Sequence, residues 1–387
     1  MNKANTNEYF RLFFETAQAI ISARDLQKTL DSLVQHTVAA LEVKGGVLRL
    51  IDEESNTLKR VAAYGMSDTY LNKGALHANQ SIPEVLDGKP VYIKNAGSDP
   101  RIEYPAAMVA EGIAAVLSVP VVAGDKVMGV LRLYSAEPHD YTEEDIEFVS
   151  ALAEMGGMAI VNARQYQDKD EKLAALFDEI GVDMPLAEEV SVPKLETAVV
   201  EALDPAKSLE YFRTLHEVTS AVLSTLDSTK VIQLIVDKAV DIMKVKASAL
   251  RLRNETSHEL ELIANTGLSE KFLAKGQPHT DQSISETLAG RPVLITDTAN
   301  DPRLEFPKET VAEGIAAVLS MPIMAKKRVV GVLRLYSADV RQYSQEEITF
   351  LSALAEIAGV AIMNVRMYEK TSNDLSFWTT TLGYIQD

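Results

Sequence analysis

One offset lays half of this 387-residue chain over the other half without a gap. Tyr9-Phe10-Arg11 recurs as Tyr211-Phe212-Arg213, and Val109 to Ser118 (VAEGIAAVLS) recurs letter for letter as Val311 to Ser320, both 202 positions apart. The same spacing pairs Leu48-Arg49-Leu50 with Leu250-Arg251-Leu252, Asp99-Pro100-Arg101 with Asp301-Pro302-Arg303, and Gly129 to Ala136 with Gly331 to Ala338. About 75 of about 160 aligned positions are identical, and a repeat of that length is a whole domain rather than a solenoid turn. The chain therefore reads as one domain over residues 8–167, a helical linker over 168–208, a second domain over 209–370 and a tail over 371–387.

Within each copy the apolar spacing gives the order of elements. Residues 8–41 carry Phe10, Phe13, Phe14, Ala17 and Ile20, then Leu30, Leu33, Val34 and Val38, which predicts one long helix or two in succession. Strand-like runs follow at Val47 to Ile51, Leu58 to Ala63, Val91 to Ile93, Ala115 to Val122 and Val127 to Tyr134. Asp52 to Asn56 and Gly124-Asp125 read as hairpin turns, the second replaced by Lys326-Lys327 in the other copy. Short helices are expected near Ser81 to Leu86 and Pro105 to Ala110, and a last helix runs from a Thr142 cap through Tyr166. This is an α+β pattern. In the linker, Lys172 to Ile180 and Lys194 to Leu203 look helical, while Gly181, Pro185 and Pro193 break the chain into a jointed spacer.

Composition narrows the chemistry. With 38 Lys and Arg against 56 Asp and Glu the net charge is -18, which repels a phosphate backbone, so no nucleic-acid partner is expected. The absence of cysteine excludes disulfides, thiolate metal sites, iron–sulfur clusters and thiol catalysis. No leader-like or membrane-length apolar segment stands out, which gives the expectation of a cytoplasmic protein away from membranes. There is no Walker A loop, HExxH, GxSxG or dinucleotide fingerprint, and no Ser/His/Asp set repeats in both copies, so the chain is not expected to be an enzyme. No cofactor or metal is expected either.

At Ser81-Ile82…Leu86-x-Gly88-x-Pro90-Val91, Asp99-Pro100-Arg101-x-Glu103-Tyr104-Pro105, Glu111-Gly112-Ile113-Ala114…Leu117-Ser118-Val119-Pro120, Gly129 to Tyr134 and Ala159 to Arg164, each copy resembles a GAF domain. The family is a small-molecule-binding regulatory module with a PAS-like fold. The resemblance implies a six-stranded antiparallel sheet, the first and last helices on one face and a ligand cavity under the short helices on the other. It also implies dimerisation through the terminal helices. The cyclic-nucleotide signature is not completed after Asn72-Lys73, and the second copy has Ala274-Lys275. Bilin attachment and sulfoxide reduction need cysteines the chain lacks. Family members of this kind usually continue into an output domain, so the output is expected on a separate polypeptide.

Arg49 and Arg132, repeated as Arg251 and Arg334, lie inside apolar strands, where a charged side chain needs a partner. By the period of two, Arg49 shares a face with Val47 and Ile51, and Arg132 with Val130 and Tyr134, whose repeat is Tyr336. The all-Leu faces, Leu48, Leu50, Leu131 and Leu133, suit the terminal helices, which puts the guanidiniums on the cavity side. Two readings stay open. The arginines hold an anionic ligand, to which a planar guanidinium is matched. Alternatively they pair internally with Asp99, Glu103 or Glu111, or with the repeats Asp301, Glu305 and Glu313, the more economical reading for buried charge.

His77 is the one histidine that recurs, as His279, and is either a ligand contact or a loop residue fixing backbone. His36, His139, His216 and His258 have no counterpart and are expected on the surface. Arg101 and Arg303 read first as turn residues and second as ligand contacts. The candidate binding set is thus Arg49, Arg132, Tyr134, His77, Arg101 and Glu111, with Arg251, Arg334, Tyr336, His279, Arg303 and Glu313. Gly156-Gly157, matched by Ala358-Gly359, points to close approach of another helix, in a GAF dimer that of the partner subunit. Phe377, Trp378 and Tyr384 make an aromatic tail for packing or docking. Together these residues describe a homodimeric sensor of a small metabolite, anionic if the guanidiniums contact it, and the alternative is a scaffold that binds no ligand.

Overall fold

The computed structural model describes residues 9–179 and 205–362, apart from 10, 18–19, 21–25, 82, 226, 255–256, 258, 275–281, 326–327 and 360. His279, the linker positions 180–204, Lys326-Lys327 and the aromatic tail lie outside the described residues. The chain divides into two compact units, Met1–Met184 and Pro185–Asp387. Among the described residues no helix is long and apolar enough to cross a membrane.

In the first unit, strands β1 (Gly45–Asp52), β2 (Thr57–Tyr64), β3 (Val91–Ile93), β4 (Ala115–Ala123) and β5 (Lys126–Ser135) form an antiparallel sheet ordered β2-β1-β5-β4-β3. The second unit repeats it with β6 (Ala247–Arg253), β7 (Leu260–Thr266), β8 (Val293–Ile295), β9 (Ala317–Ala325) and β10 (Arg328–Ser337), ordered β7-β6-β10-β9-β8. Identical strands in identical order follow from the gapless repeat. The turns form as their residues dictate. Asp52 Oδ1 accepts the Ser55 N–H at 2.9 Å, and Gly124 takes φ +59° between β4 and β5.

The sheets have five strands each where the family resemblance implied six. In the first unit the chain does return beside β2, with Leu58 N–H to Leu76 O at 2.8 Å and Ala78 N–H to Asn56 O at 3.1 Å, but it pairs only through the single bridge Thr57–His77. A helix begins at Ala78, so no second pair can form. The short helices are also more numerous than expected. Asp68–Leu71, Ala78–Ser81, Pro83–Leu86 and Pro105–Glu111 lie between strands of the first unit, and Glu270–Leu273, Gln282–Leu288 and Pro307–Ala312 between strands of the second. Proline opens three of these, where its missing N–H costs nothing. Ser67 and Ser269 cap two others, accepting from Tyr70 N at 3.2 Å and Phe272 N at 3.1 Å.

The opposite face of each sheet is covered by the long helices. In the first unit these include residues 11–17, Leu26–Ala40 and Glu143–Glu179; in the second they are Pro205–Ser224, Ser228–Met243 and residues 345–359. The second unit thus has two helices in succession at its start, divided at Asp227, which accepts from Lys230 N at 3.3 Å. Thr142 caps the last helix of its unit, as its sequence predicts. Thr142 Oγ1 accepts from Asp145 N at 3.1 Å while Asp145 Oδ2 accepts from Thr142 N at 2.8 Å, and Ser344 with Glu347 repeats the exchange. Tyr9 donates to Asp145 Oδ1 at 2.5 Å and stacks on Phe148 at 4.3 Å, a stack that Tyr211 and Phe350 repeat at the same spacing. The helix does not stop at Tyr166 but continues to Glu179, because residues 168–179 hold no glycine or proline to end it. The buried Leu48 lies against Gly156, and Leu133, Val34 and Val38 crowd around Gly46, so the leucine faces do meet the helices.

Gly156 does face another helix, since a Cβ there would come within 3.0 Å of Leu33 on the Leu26–Ala40 helix, whereas Gly157 faces the sheet. A Cβ on Gly157 would collide with the carbonyl oxygen of Val122 in β4, and one on Gly359 with that of Met324 in β9. The close neighbour of Gly157 and Gly359 is the domain's own sheet. Gly157→Ala and Gly359→Ala are each expected to destabilise their domain by about 1–3 kcal/mol, the usual cost of overpacking a core that cannot give way. Urea denaturation checks this, and unchanged midpoints would show that helix and sheet can separate freely there.

Candidate functional site

The sheet register brings the strand arginines together. Arg132 on β5 stands opposite Val47 on β1 and Ser118 on β4, while Arg49 on β1 stands opposite Val130, so both guanidiniums leave the face turned away from the long helices. Both residues are buried, at 4% and 2% exposure, and so is Tyr134 between β1 and β4. The Tyr134 hydroxyl accepts from Arg49 Nη1 at 3.3 Å, and Ser118 Oγ accepts from Arg132 Nε at 3.2 Å. Around them stands an apolar wall of Val47, Ile93, Ile102, Met108, Ile113 and Val116, supplied by the strands and the segments between them. Tyr70, from the Asp68–Leu71 helix, meets the Tyr134 ring edge-on at 5.4 Å and donates its hydroxyl to Met108 Sδ at 3.2 Å.

Lys73 completes the cluster. Its Nζ lies 3.5 Å from the Tyr70 ring centroid and donates to Tyr70 O at 3.2 Å. Burial, with Arg49 and Arg132 also nearby, holds its pKa down to about 8. For Tyr134 burial alone would raise the phenol, but Arg49, Arg132 and Lys73 outweigh it and bring the pKa down to about 8. Burial raises the Tyr70 phenol instead, and Tyr134 beside it adds to the rise. The first domain therefore gathers three cationic side chains around one ionisable phenol within a buried apolar cluster.

The second domain keeps the anchors and changes the walls. Arg251 Nη1 donates to the Tyr336 hydroxyl at 3.5 Å, and Arg334 Nε donates to Ser320 Oγ at 3.0 Å. Phe272 meets Tyr336 edge-on at 6.1 Å, with Ala249, Ile295, Leu304, Ile315 and Val318 in the surrounding wall.

Of the remaining candidates, Arg101, Arg303 and His77 are engaged in their own loops, while Glu111 lies near enough to Lys73 for their charges to interact. Asp99 accepts from Arg101 N and Nε at 2.9 Å each and from Nη2 at 2.7 Å, and Arg101 Nη1 reaches Glu84 at 3.4 Å. Asp301 holds Arg303 in the same way, with Arg303 Nη2 also donating to Leu294 O at 3.2 Å. These are turn staples, and hydrogen bonding from Arg101 and Arg303 keeps both aspartates below the usual carboxylate range. Glu111 accepts from the Ser67 backbone N–H at 3.0 Å and from its hydroxyl, and Glu313 does the same for Ser269 at 2.8 and 2.5 Å. Glu103 binds His77, at 2.9 Å to Nδ1 and 3.2 Å to the backbone N–H. His77 thus serves to fix its loop. His36 is half-buried rather than on the surface, with Nδ1 2.9 Å from Thr16 Oγ1.

Internal pairing with the three repeated acids is therefore not what holds the first-domain arginines. Asp99, Glu103 and Glu111 are all engaged elsewhere, and among the described residues no carboxylate lies within ion-pair distance of Arg49 or Arg251. The spacing argument could not see this, because which acid meets which base is decided by loops that fold away from the strands. It also missed Lys73, Tyr70 and Ser118. The signal available for two of them was identity across the repeat, Lys73 with Lys275 and Ser118 with Ser320.

A family model described as GAF domain matches residues 23–161 and again 225–363. The chain belongs to the GAF family. The two matches bracket the two sheets and the arginine clusters beneath their short helices. Among curated proteins, this GAF chain is 24% identical over 166 residues to the formate hydrogenlyase transcriptional activator of Salmonella typhimurium, covering 41% of this chain and 24% of that one. It is likewise 24% identical over 168 residues to the Nif-specific regulatory protein of Azospirillum lipoferum, covering 41% of this chain and 27% of that one. It thus matches about a quarter of the length of each regulator. Among solved structures, the GAF domain of an Acinetobacter phosphoenolpyruvate-protein phosphotransferase is 24% identical at a TM-score of 0.35, covering 40% of this chain and 93% of that domain. GAF domains thus occur in sensory and regulatory proteins.

Tyr134 and Lys73 give the first domain a measurable pH response. Both hold pKa values of about 8 when folded, against reference values of 10.0 and 10.5. Between about pH 8 and 10 the unfolded chain retains protons the folded domain has released, so these groups make stability rise with pH across that window. Absorbance at 295 nm is expected to show one tyrosine ionising around pH 8, absent in Tyr134→Phe, and the variant is expected to lose part of the rise in urea midpoint. A wild-type protein with no tyrosine ionising below pH 9 would overturn this assignment.

Proposed function

We propose that this chain is a cytoplasmic regulatory sensor rather than an enzyme, that its GAF pockets bind a small metabolite carrying an anionic group, and that it acts as a homodimer. The observation that carries the reading is the buried Arg49, gathered with Arg132 and Lys73 around Tyr134, with no carboxylate among the described residues at ion-pair distance from it. Positive charge taken out of water needs an anion, and guanidinium groups match the paired oxygens of a carboxylate or phosphate. A pocket with a charged floor and apolar walls suits a compact molecule with one anionic end.

Signalling requires that the bound form favour one arrangement of the long helices. The pocket and those helices share one sheet, since Leu48 and Leu133 pack on the helix side of the strands that carry Arg49 and Arg132. A ligand that draws the arginines together would bear on β1 and β5 and so on the helices behind them. The output then lies on a separate protein that reads helix geometry at the dimer. The regulators matched above support a role in control of gene expression, which for this chain is exerted through that partner.

Native mass spectrometry of the gently purified chain is the direct test. A dimer with one or two small adducts per chain is expected, and a saturating ligand at 100 times its Kd would add about 2.7 kcal/mol to stability. Arg132→Ala and Arg334→Ala are each expected to remove the adduct from their own domain. A monomer would sink the helix-mediated mechanism. A dimer that carries no adduct and is stabilised by no metabolite would favour the scaffold, in which the domains act only through their surfaces.

A further inference from the structure

The two pockets are not equivalent at their arginines. Ala249 stands opposite Arg334 where Val47 stands opposite Arg132, so the second domain lacks two methyl groups beside its guanidiniums. Phe272 takes the place of Tyr70, which removes a hydroxyl, and Thr310 takes the place of Met108 while spending its own hydroxyl on Phe306 O at 2.7 Å. Arg334 is oriented by Ser320, as Arg132 is by Ser118. Arg251 is left with little. It is 6% exposed, its Nη1 reaches Tyr336 only at 3.5 Å, and its Nε is buried with no hydrogen-bond partner among the described residues.

A buried, charged N–H without an acceptor is costly, and proteins rarely leave one so. Of the repeated acids, Asp301 is already held by Arg303. The Nε and Nη groups of arginine present two parallel N–H bonds along one edge, which fits two oxygens of one carboxylate or phosphate. In the second domain Ala249 lies two residues before Arg251 on β6 and so on the same face, with two fewer methyl groups than a valine there. In the first, Val47 fills the corresponding space, and the Tyr134 hydroxyl lies closer to Arg49, at 3.3 Å.

We infer that the second domain is the principal oxyanion site of the chain, holding the carboxylate or phosphate group of its ligand on the Nε edge of Arg251 in the space beside Ala249. This rests on the sensor reading and adds which domain loads, and through which atoms. The first domain, with its phenol and its crowded arginines, then binds oxyanions more weakly.

The test uses the full chain with two probes, 13C-labelled acetate and inorganic phosphate, each followed by NMR line broadening. Which of the two binds tells carboxylate from phosphate. Arg251→Lys keeps the charge and removes the Nε–H edge, and Ala249→Val copies the first domain's residue into a strand that accepts it. Both are expected to weaken binding by about tenfold or more, whereas Arg49→Lys, in the weaker site, is expected to weaken it by a clearly smaller factor. Should Arg251→Lys fail to fold, as circular dichroism would show, Ala249→Val carries the comparison. Arg49→Lys weakening binding as much as the second-domain variants, or those variants leaving it unchanged, would overturn the assignment while the sensor reading stands. If wild type binds neither probe, the native adduct decides. An adduct lost in Arg251→Lys and kept in Arg49→Lys supports the assignment, one kept in Arg251→Lys overturns it, and a chain that neither carries an adduct nor binds a probe removes the sensor reading as well.

Discussion

A guanidinium buried in the middle of an antiparallel sheet has to find acceptors for its N–H groups, and in both domains that demand falls on the same few side chains. The strand register puts Ser118 beside Arg132 and Ser320 beside Arg334, and a tyrosine two residues further along the same strand reaches the other arginine. Neutral hydroxyls satisfy geometry without cancelling charge. The strand arginines are therefore held in fixed orientations on one face of each sheet.

The rest of each domain supports that arrangement. On the helix side, glycine at positions 157 and 359 lets the last helix lie directly on the backbone of β4 or β9, and reciprocal caps at Thr142 and Ser344 fix where that helix starts. On the pocket side, the aspartate–arginine staples and the Ser67–Glu111 and Ser269–Glu313 contacts tie the loops and short helices to one another. The acids that looked available to neutralise the strand arginines hold the loops over them instead. Charged residues are thus sorted by layer, with salt bridges in the loops and cations facing hydroxyls beneath.

Much of this was legible beforehand for specific reasons. The alternation in Val47-Leu48-Arg49-Leu50-Ile51 and Val130-Leu131-Arg132-Leu133-Tyr134 put the arginines on one face and the leucines on the other, because a strand allows no other arrangement. Asp99-Pro100-Arg101 carries its own turn chemistry, and Thr142 with Asp145 its own cap. What could not be read involved partners distant in sequence. The sixth strand shrank to one bridge at Thr57 and His77, Gly157 turned out to face Val122, and Lys73 reached the arginines from the loop just after the Asp68–Leu71 helix.

By itself, then, the sequence determined that there are two copies of one α+β domain, where the strands and turns fall, and which face of each strand holds its charge. These are consequences of local chain geometry and of a repeat without gaps. Tertiary structure alone decided which charges meet. It gave Asp99 to Arg101 and Glu111 to Ser67, brought Lys73 and Tyr70 over Tyr134, and left Arg251 Nε buried with no acceptor among the described residues. The reason is one of distance. Electrostatic and hydrogen-bond energies depend on separations of a few ångströms between residues far apart in sequence, and only the closed fold sets those separations.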